Sequence, residues 1–428
     1  MLDFRSFYGA IIFSLLSFVI VQYAFCSETL NQAWEIAIKY DHSLRAVKKN
    51  VESAKKTCAA ANALRLPSLN FNGGYTVLDD DDPAVKFGGI SIPMAQDEFL
   101  SYSIMASIPI FTSWAIENGI AAAESSLAAA ITDQDREKQD LKLKVAEAYI
   151  AVLRSARSVE VTESHTKSLI AHANDVENLY SQGFVAVNDL LSARVSLADA
   201  TQNELQARNI LDIARSAYNR FLGFPMARIP DLAEVKLDRL DNDLEYLTSV
   251  ALNNRHELKA LEQIRDAMYS KAKVKAAACM PQVAVTGGYQ YVENKFLEPE
   301  KAWITTLGVR WNFFDSGLSH NKANAIKQQA QALSEKREDL KTLIALQVRH
   351  SWLNVEESHK RVEVTKKALG QGEENLKVVK DRYHEGMATN TEVLDAETLR
   401  TLSYFNYNSA VYDAALSILR LHRATGDL

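Results

Sequence analysis

The chain has 428 residues, enough for two or three ordinary domains. A hydrophobic fraction of 47% excludes a disordered chain, and a net charge of −6 without a basic block argues against nucleic acid as a partner. Glycine and proline are sparse, at 16 and 8 residues, which permits long helices.

Residues 1–26 read as a secretory signal. Arg5 sits in a short basic region and an apolar stretch runs from Phe7 to Phe25. Ala24 and Cys26 fit the −3 and −1 positions of a cleavage site before Ser27. The stretch also nears membrane-spanning length, so an uncleaved anchor is the alternative. Cys26 would serve as a lipoprotein cysteine only in a poor lipobox, given Tyr23 and Phe25. Cys58 and Cys279 stand at different distances before Pro67 and Pro281. On equivalent helices their levels differ by roughly 10 Å, too far for a direct disulfide. Both are expected as buried small apolar residues.

The chain repeats itself. Ala37–Leu44 matches Ala251–Leu258, and Gly73-Gly74-Tyr75 matches Gly287-Gly288-Tyr289, at an offset of 214. Phe111 matches Phe314, and Tyr180-Ser-Gln-Gly183 matches Tyr383-His-Glu-Gly386, at an offset of 203. The difference, 214 − 203, is an 11-residue insertion between Tyr75 and Phe111. Its aspartates, glycines and prolines read as a long loop. The expected layout is a signal at 1–26, a first repeat at 27–222, a linker at 223–245 and a second repeat at 246–428.

Each half changes periodicity twice. Residues 30–66 look helical. Residues 67–77 then alternate, with Leu69, Phe71, Tyr75 and Val77 opposite Ser68, Asn70, Asn72 and Thr76. Residues 100–110 alternate again. In the second half Val283, Val285, Tyr289 and Tyr291 share one face of a strand. Trp303, Leu307, Val309, Trp311 and Phe313 share one face of another. Strands of about ten residues with one apolar face suit a transmembrane barrel, as they suit a sheet on a soluble core. Tyr75, Tyr102, Trp303 and Trp311 are candidate aromatic girdle residues.

Ala115–Ser181 contains no proline and one glycine, and predicts a helix roughly 100 Å long at 1.5 Å per residue. Leu141, Val145, Ala148, Val152, Ala156 and Val159, then Leu169, Ala173, Val176 and Tyr180, recur at coiled-coil spacing. A second helix is expected over 187–222. The other half predicts helices over 319–383 and 391–422. Four strands cannot close a membrane barrel, and an open edge in lipid leaves backbone groups unsatisfied. A spanning chain must therefore share its barrel with further copies.

The half-repeat layout, the proline-initiated strands, Phe314-Asp315-Ser316-Gly317 and the paired Tyr-x-x-Gly helix tips resemble the TolC family of outer-membrane factors. The resemblance covers nearly the whole mature chain. It implies an α+β membrane protein: a trimeric 12-stranded β-barrel, four strands per protomer, continuing into a long periplasmic α-helical coiled-coil barrel. It implies an outer-membrane exit duct for efflux or type I secretion, passive and not an enzyme, without cofactor or metal. The implied partners are two further copies in a homotrimer, outer-membrane lipid, a periplasmic adaptor (membrane fusion protein) and an inner-membrane ABC or RND-type pump. The poor lipobox leans towards type I secretion-like members. Gly183, Phe184, Gly386 and Met387 are the implied adaptor-contacting tips.

The resemblance has departures. Phe111-Thr112-Ser113-Trp114 replaces the Phe-Asp-x-Gly turn, His42-Ser43-Leu44 and His256-Glu257-Leu258 lack the family's proline, and Ala388 stands where some members carry a basic residue. Glu392 and Asp395 share a helix face, and in a trimer each makes a ring able to repel or select ions. Asp189 is the first-half equivalent of Glu392, and Tyr383 is placed to hold a carboxylate such as Asp189 in a closed gate. Acidic residues in a first turn also complement the helix dipole, and Tyr383 also suits seam packing. The other reading is a periplasmic coiled-coil structural or adaptor protein without a barrel. No catalytic constellation appears: the nine histidines are scattered, and His256-Glu257 lacks a second zinc-binding histidine.

Overall fold

The computed structural model describes residues 27–79, 84–94, 96–235, 243–296 and 298–428. The signal segment with Ala24 and Cys26, the aspartates 80–82 with Pro83, and linker residues 236–242 lie outside the described residues. The described chain forms two compact units, residues 27–36 with 148–235 and residues 37–147 with 243–428.

The helix expected over 30–66 is two helices, α1 (Leu30–Tyr40) and α2 (His42–Ala63). Asp41 between them is extended, at φ −61° and ψ 129°, and its carboxylate accepts from the Leu44 amide at 2.8 Å. That is an N-cap, and it restarts the helix without proline. Asp41 still donates its own amide to Ala37 at 2.8 Å. The second half repeats the break. Between α5 (Leu244–Asn254) and α6 (His256–Ala276), Arg255 is extended at ψ 117° and donates to Ala251 at 3.0 Å. The break thus survives the loss of the family's proline, because one extended residue stops the ladder while its own amide still closes the helix before it.

The strands β1 (Ser68–Val77), β4 (Glu98–Phe111), β5 (Gln282–Val292) and β6 (Lys301–Arg310) form one antiparallel sheet in the order β1-β4-β5-β6. Directly opposed residues share a face. Phe71 opposes Ile104, Ile104 opposes Tyr289, and Tyr289 opposes Trp303. The four apolar faces legible in the sequence therefore merge into one. The opposite face carries rows such as Asn72, Ser103, Gln290 and Ala302. Close approach is required at Gly288, where a Cβ would lie 2.0 Å from the Ile104 carbonyl oxygen.

Three expectations need correction here. The insertion is not loop alone: β2 (Ala84–Phe87) and β3 (Ile90–Pro93) pair across Gly88 and Gly89, both at positive φ. Two left-handed residues make the tight hairpin turn that glycines allow. The last strand stops at Arg310, so Trp311 and Phe313 lie beyond it. Trp311 instead donates its indole N–H to the Cys279 carbonyl at 3.1 Å. Cys58 and Cys279 are free thiols, as expected, but both are only half-buried. The Cys279 thiol donates to Asp315 at 3.1 Å, a polar role that burial reasoning did not foresee.

The departing turn after β4 is rebuilt on the same backbone. Ser113 and Trp114 have φ of 52° and 63°, and Ser316 and Gly317 have 54° and 80°. Thr112 accepts from the Ile116 amide at 3.3 Å, as Asp315 accepts from the Ser319 amide at 2.8 Å.

The long helices are α3 (Ala115–Ser181, 67 residues), α4 (Val187–Leu222, 36), α7 (Leu318–His384, 67) and α8 (Asn390–Thr425, 36). The expected seam residues Leu141, Val145, Val152, Val159, Leu169, Ala173 and Val176 are buried, whereas Tyr180 is exposed. Tyr180 sits in the final turn of α3, and its equivalent at offset 203, Tyr383, is buried.

In the unit holding residues 148–235, Tyr149 and Tyr218 pack edge to face at 5.9 Å. Tyr218 donates to the Glu28 carboxylate at 2.6 Å, and Arg228 donates to it at 2.8 Å. Burial, and then the bond to Glu28, pushes the Tyr218 hydroxyl far above its ordinary range, so it remains a donor. In the other unit Leu247, Leu258, Ile344, Val348, Ile418 and Leu421 form the core, from α5 to α8. Among the described residues no helix is long and apolar enough to cross a membrane.

Candidate functional site: helix tips and sheet face

Each helical hairpin turns on one glycine. Gly183 has φ 79°, its amide donates to Tyr180 at 2.9 Å, and the Phe184 amide donates to Leu179 at 2.9 Å. At the second tip Gly386 has φ 73°, its amide donates to Tyr383 at 3.0 Å, and Met387 donates to Arg382 at 2.7 Å. Both are left-handed glycine C-caps that satisfy the last carbonyls of a long helix. They leave Phe184 and Met387 exposed at the apex, at 74% and 58%.

The acidic candidates follow the tips. Asp189 is half-buried in the first turn of α4. Glu392 and Asp395 are exposed on α8. The Glu392 carboxylate accepts from the Thr389 amide at 2.7 Å, and the Thr389 hydroxyl accepts from the Glu392 amide at 3.3 Å. This capping box holds the Glu392 carboxyl below its usual range, chiefly through the Thr389 amide. Glu392 is therefore ionised and fixed in position, while Asp395 stands one turn further along the same face. Tyr383 is buried in the last turn of α7.

Sequence reasoning missed the charge pairs just behind the tips. In the first hairpin Arg194 on α4 pairs with Glu177 on α3 at 2.9 Å. In the second, Lys380 on α7 pairs with Glu397 on α8 at 2.6 Å. The positions are equivalent at offset 203, and the signs are exchanged. Glu397 is 0% exposed and also meets Arg400 at 3.5 Å. The 17-residue spacing from Glu177 to Arg194 and from Lys380 to Glu397 was a readable signal once the tips were placed.

Further along the second hairpin, Arg423 bridges Asp140 at 2.6 Å and Glu257 at 2.8 Å. Arg255, the residue at the break between α5 and α6, holds the same Glu257 at 3.0 Å and the Ala424 carbonyl at 3.1 Å. Burial pushes the Glu257 carboxyl up, but hydrogen bonds from Arg423 and Arg255 outweigh it and hold it at about 2.

On the sheet, Tyr75 and Trp303 are exposed and Tyr102 is half-buried. Tyr102 stacks on Tyr291 at 5.0 Å, and Tyr289 meets Trp303 at 5.5 Å. Trp311 lies at the other end of the sheet, edge to face with Phe313 at 6.2 Å. Between Trp303 and Trp311 the chain advances roughly 26 Å at about 3.3 Å per residue. Among the described residues no group of histidine, cysteine and acidic side chains could hold a metal.

The outer membrane efflux protein family matches this chain over residues 34–223 and 247–427. The outer membrane protein TolC of Vibrio cholerae is 22% identical over 417 residues, spanning 94% of this chain and 91% of that one. The TolC of Escherichia coli K12 is 22% identical over 430 residues, spanning 94% and 83%. Among solved structures, the outer-membrane channel OprN superposes with a TM-score of 0.80 at 18% identity, covering 93% of this chain and 90% of that one. The Campylobacter jejuni CmeC outer membrane channel superposes at 0.81 with 14% identity, covering 93% and 85%. At such identities these structures share the fold. With both halves matched and the sheet and long helices of the solved channels in place, the chain belongs to the outer membrane efflux protein family and is a passive efflux channel of the outer membrane with a periplasmic extension.

Proposed function

We propose that three copies build one duct, each lending its four strands to a 12-stranded barrel and its two helical hairpins to a periplasmic tube. The observation that carries this reading is the sheet itself. Its edges β1 and β6 have no partner within the chain among the described residues, and one of its faces is predominantly apolar. In lipid those edges must pair, and β6 of one copy against β1 of the next closes the ring. The spacing of the Tyr75, Tyr102 and Trp303 band from Trp311 supports two girdles, since such barrels carry an apolar band about 25 Å tall. The two matched stretches support repeats at 27–222 and 246–428 joined by a linker at 223–245.

The tips form the periplasmic entrance. Asp189, Tyr383, Glu392 and Asp395 set its electrostatics, and Gly183, Phe184, Gly386 and Met387 meet a periplasmic adaptor. An inner-membrane pump of the ABC or RND type supplies the energy, with a lean towards type I secretion. Planar-bilayer conductance tests the duct, comparing wild type with Glu392→Ala plus Asp395→Ala. Cation-selective channels that lose selectivity in the double variant are expected. Unchanged selectivity moves the gate elsewhere, and no channels at all from folded protein rejects the duct.

Gly386→Val tests the docking tip. A β-branched residue at φ 73° costs about 1–2 kcal/mol locally. Export is expected to fall while the assembly still reaches the outer membrane. Unchanged export rejects an adaptor contact at that turn.

A further inference from the structure

We propose that the first half of each protomer carries a site for the headgroup of a phosphoethanolamine lipid, at the end of the sheet that joins the helices. The proposal rests on the barrel reading above. The site is an open cleft of about 160 Å³ lined by Arg65, Ile110, Phe111, Trp114 and Glu117, among others.

Three features point to a ligand. Arg65 and Glu117 are both exposed, and among the described residues neither side chain has a hydrogen-bond or ion-pair partner. They offer one cationic and one anionic group to the same cleft. Second, Trp114 adopts φ 63° although it is not glycine, while its indole stays 61% exposed and meets Phe111 edge to face at 5.3 Å. A bulky residue held there costs about 1–2 kcal/mol, and such strain collects at functional positions. Third, the register shifts between Pro109 and Phe111, a bulge that re-aims Ile110 at the end of the apolar face.

The second half supplies an internal comparison. By the offsets of 214 and 203, Arg65 corresponds to Cys279, Trp114 to Gly317 and Glu117 to His320. The second half makes the same left-handed turn with Gly317, so no bulky side chain stands at that position. There the thiol of Cys279 donates to Asp315, and His320 pairs with Asn324 at 2.8 Å. The fold therefore does not demand an arginine, a tryptophan and a glutamate at these positions.

Their chemistry selects the occupant. Arg65 takes a phosphate, for which a guanidinium is the preferred side chain. Glu117 accepts from a primary ammonium, and the Trp114 face attracts the same cation. Ile110 and Phe111 meet the start of the acyl chains. An anionic glycerol headgroup would leave Glu117 without a counter-charge. A choline headgroup offers Glu117 no N–H.

Native mass spectrometry of the detergent-solubilised full-length assembly tests this, with phosphatidylethanolamine, phosphatidylglycerol or phosphatidylcholine added at equal mole fraction. Phosphatidylethanolamine adducts are expected to dominate. Arg65→Gln and Glu117→Gln are each expected to lower them roughly fivefold, the scale of an exposed charge pair. Trp114→Gly installs the second half's own turn, so it should lower retention without lowering the melting temperature. Equal retention of the three lipids, a preference for phosphatidylglycerol, or retention indifferent to all three substitutions overturns the site. Wild-type bilayer conductance separates the two readings: channels without lipid preference overturn only the headgroup site, whereas a folded protein without channels overturns the duct.

Discussion

Gly288→Val is expected to abolish assembly in the outer membrane. A Cβ at Gly288 would lie 2.0 Å from the Ile104 carbonyl oxygen and 2.8 Å from the Met105 Cα, both backbone atoms that no rotamer change can clear. Relief requires β4 and β5 to separate, and that pairing is the only one joining a first-half strand to a second-half strand among the described residues. Ordinary overpacking costs about 1–3 kcal/mol, and a backbone clash in a sheet centre exceeds it. The readout is the yield of heat-modifiable oligomer from isolated outer membranes. Gly287→Ala serves as the comparison, because its Cβ would meet Thr305 Oγ1 at 3.5 Å, an ordinary contact. A normal yield from Gly288→Val would show that β4 and β5 do not approach as described.

Arg423→Met is expected to cost about 1–3 kcal/mol, the usual penalty for losing hydrogen bonds to charged groups, because Asp140 keeps Arg136 at 2.7 Å and Glu257 keeps Arg255. The substitution strips Asp140 of one donor and leaves Glu257 with Arg255 alone. The pH dependence has a definite sign. The Glu257 pKa is depressed from 4.5 to about 2 in the folded state, so its contribution is present above pH 4.5. It is lost as pH falls from 4.5 towards 2. In Arg423→Met the folded pKa rises, and the acid limb of the melting curve moves to higher pH. Thermal melts of the detergent-solubilised protein at pH 7 and pH 4 measure both effects. An unchanged melting temperature at both values would mean that the network carries no stability.

Much of this was legible because it repeats or alternates. The long helices were readable from the absence of breakers, and α3 begins and ends at the expected residues, Ala115 and Ser181. The strands were readable because side chains alternate with a period of two, so one apolar face appears directly in the letters. Other features depend on partners far away in the chain. The β2–β3 hairpin was hidden because its strands are four residues each, too short for alternation to rise above the flanking aspartates and prolines. The break at Asp41 was hidden because the helical pattern continues through it, and only the cap on Leu44 shows that the ladder stops.

By itself the sequence determined the class of protein: an internal duplication of strand pairs and long helical hairpins, whose four strands per chain cannot close alone in lipid. Those conclusions rest on local periodicity and on the cost of unpaired backbone, which act along the chain. Only the tertiary structure decided which strands are neighbours, why Gly288 must be glycine, and that Arg423 and Arg255 share one glutamate. It also showed that the Glu177–Arg194 and Lys380–Glu397 pairs exchange signs at equivalent positions. Each of these is a contact between residues distant in sequence, and register, close approach and charge pairing exist only once two segments lie side by side.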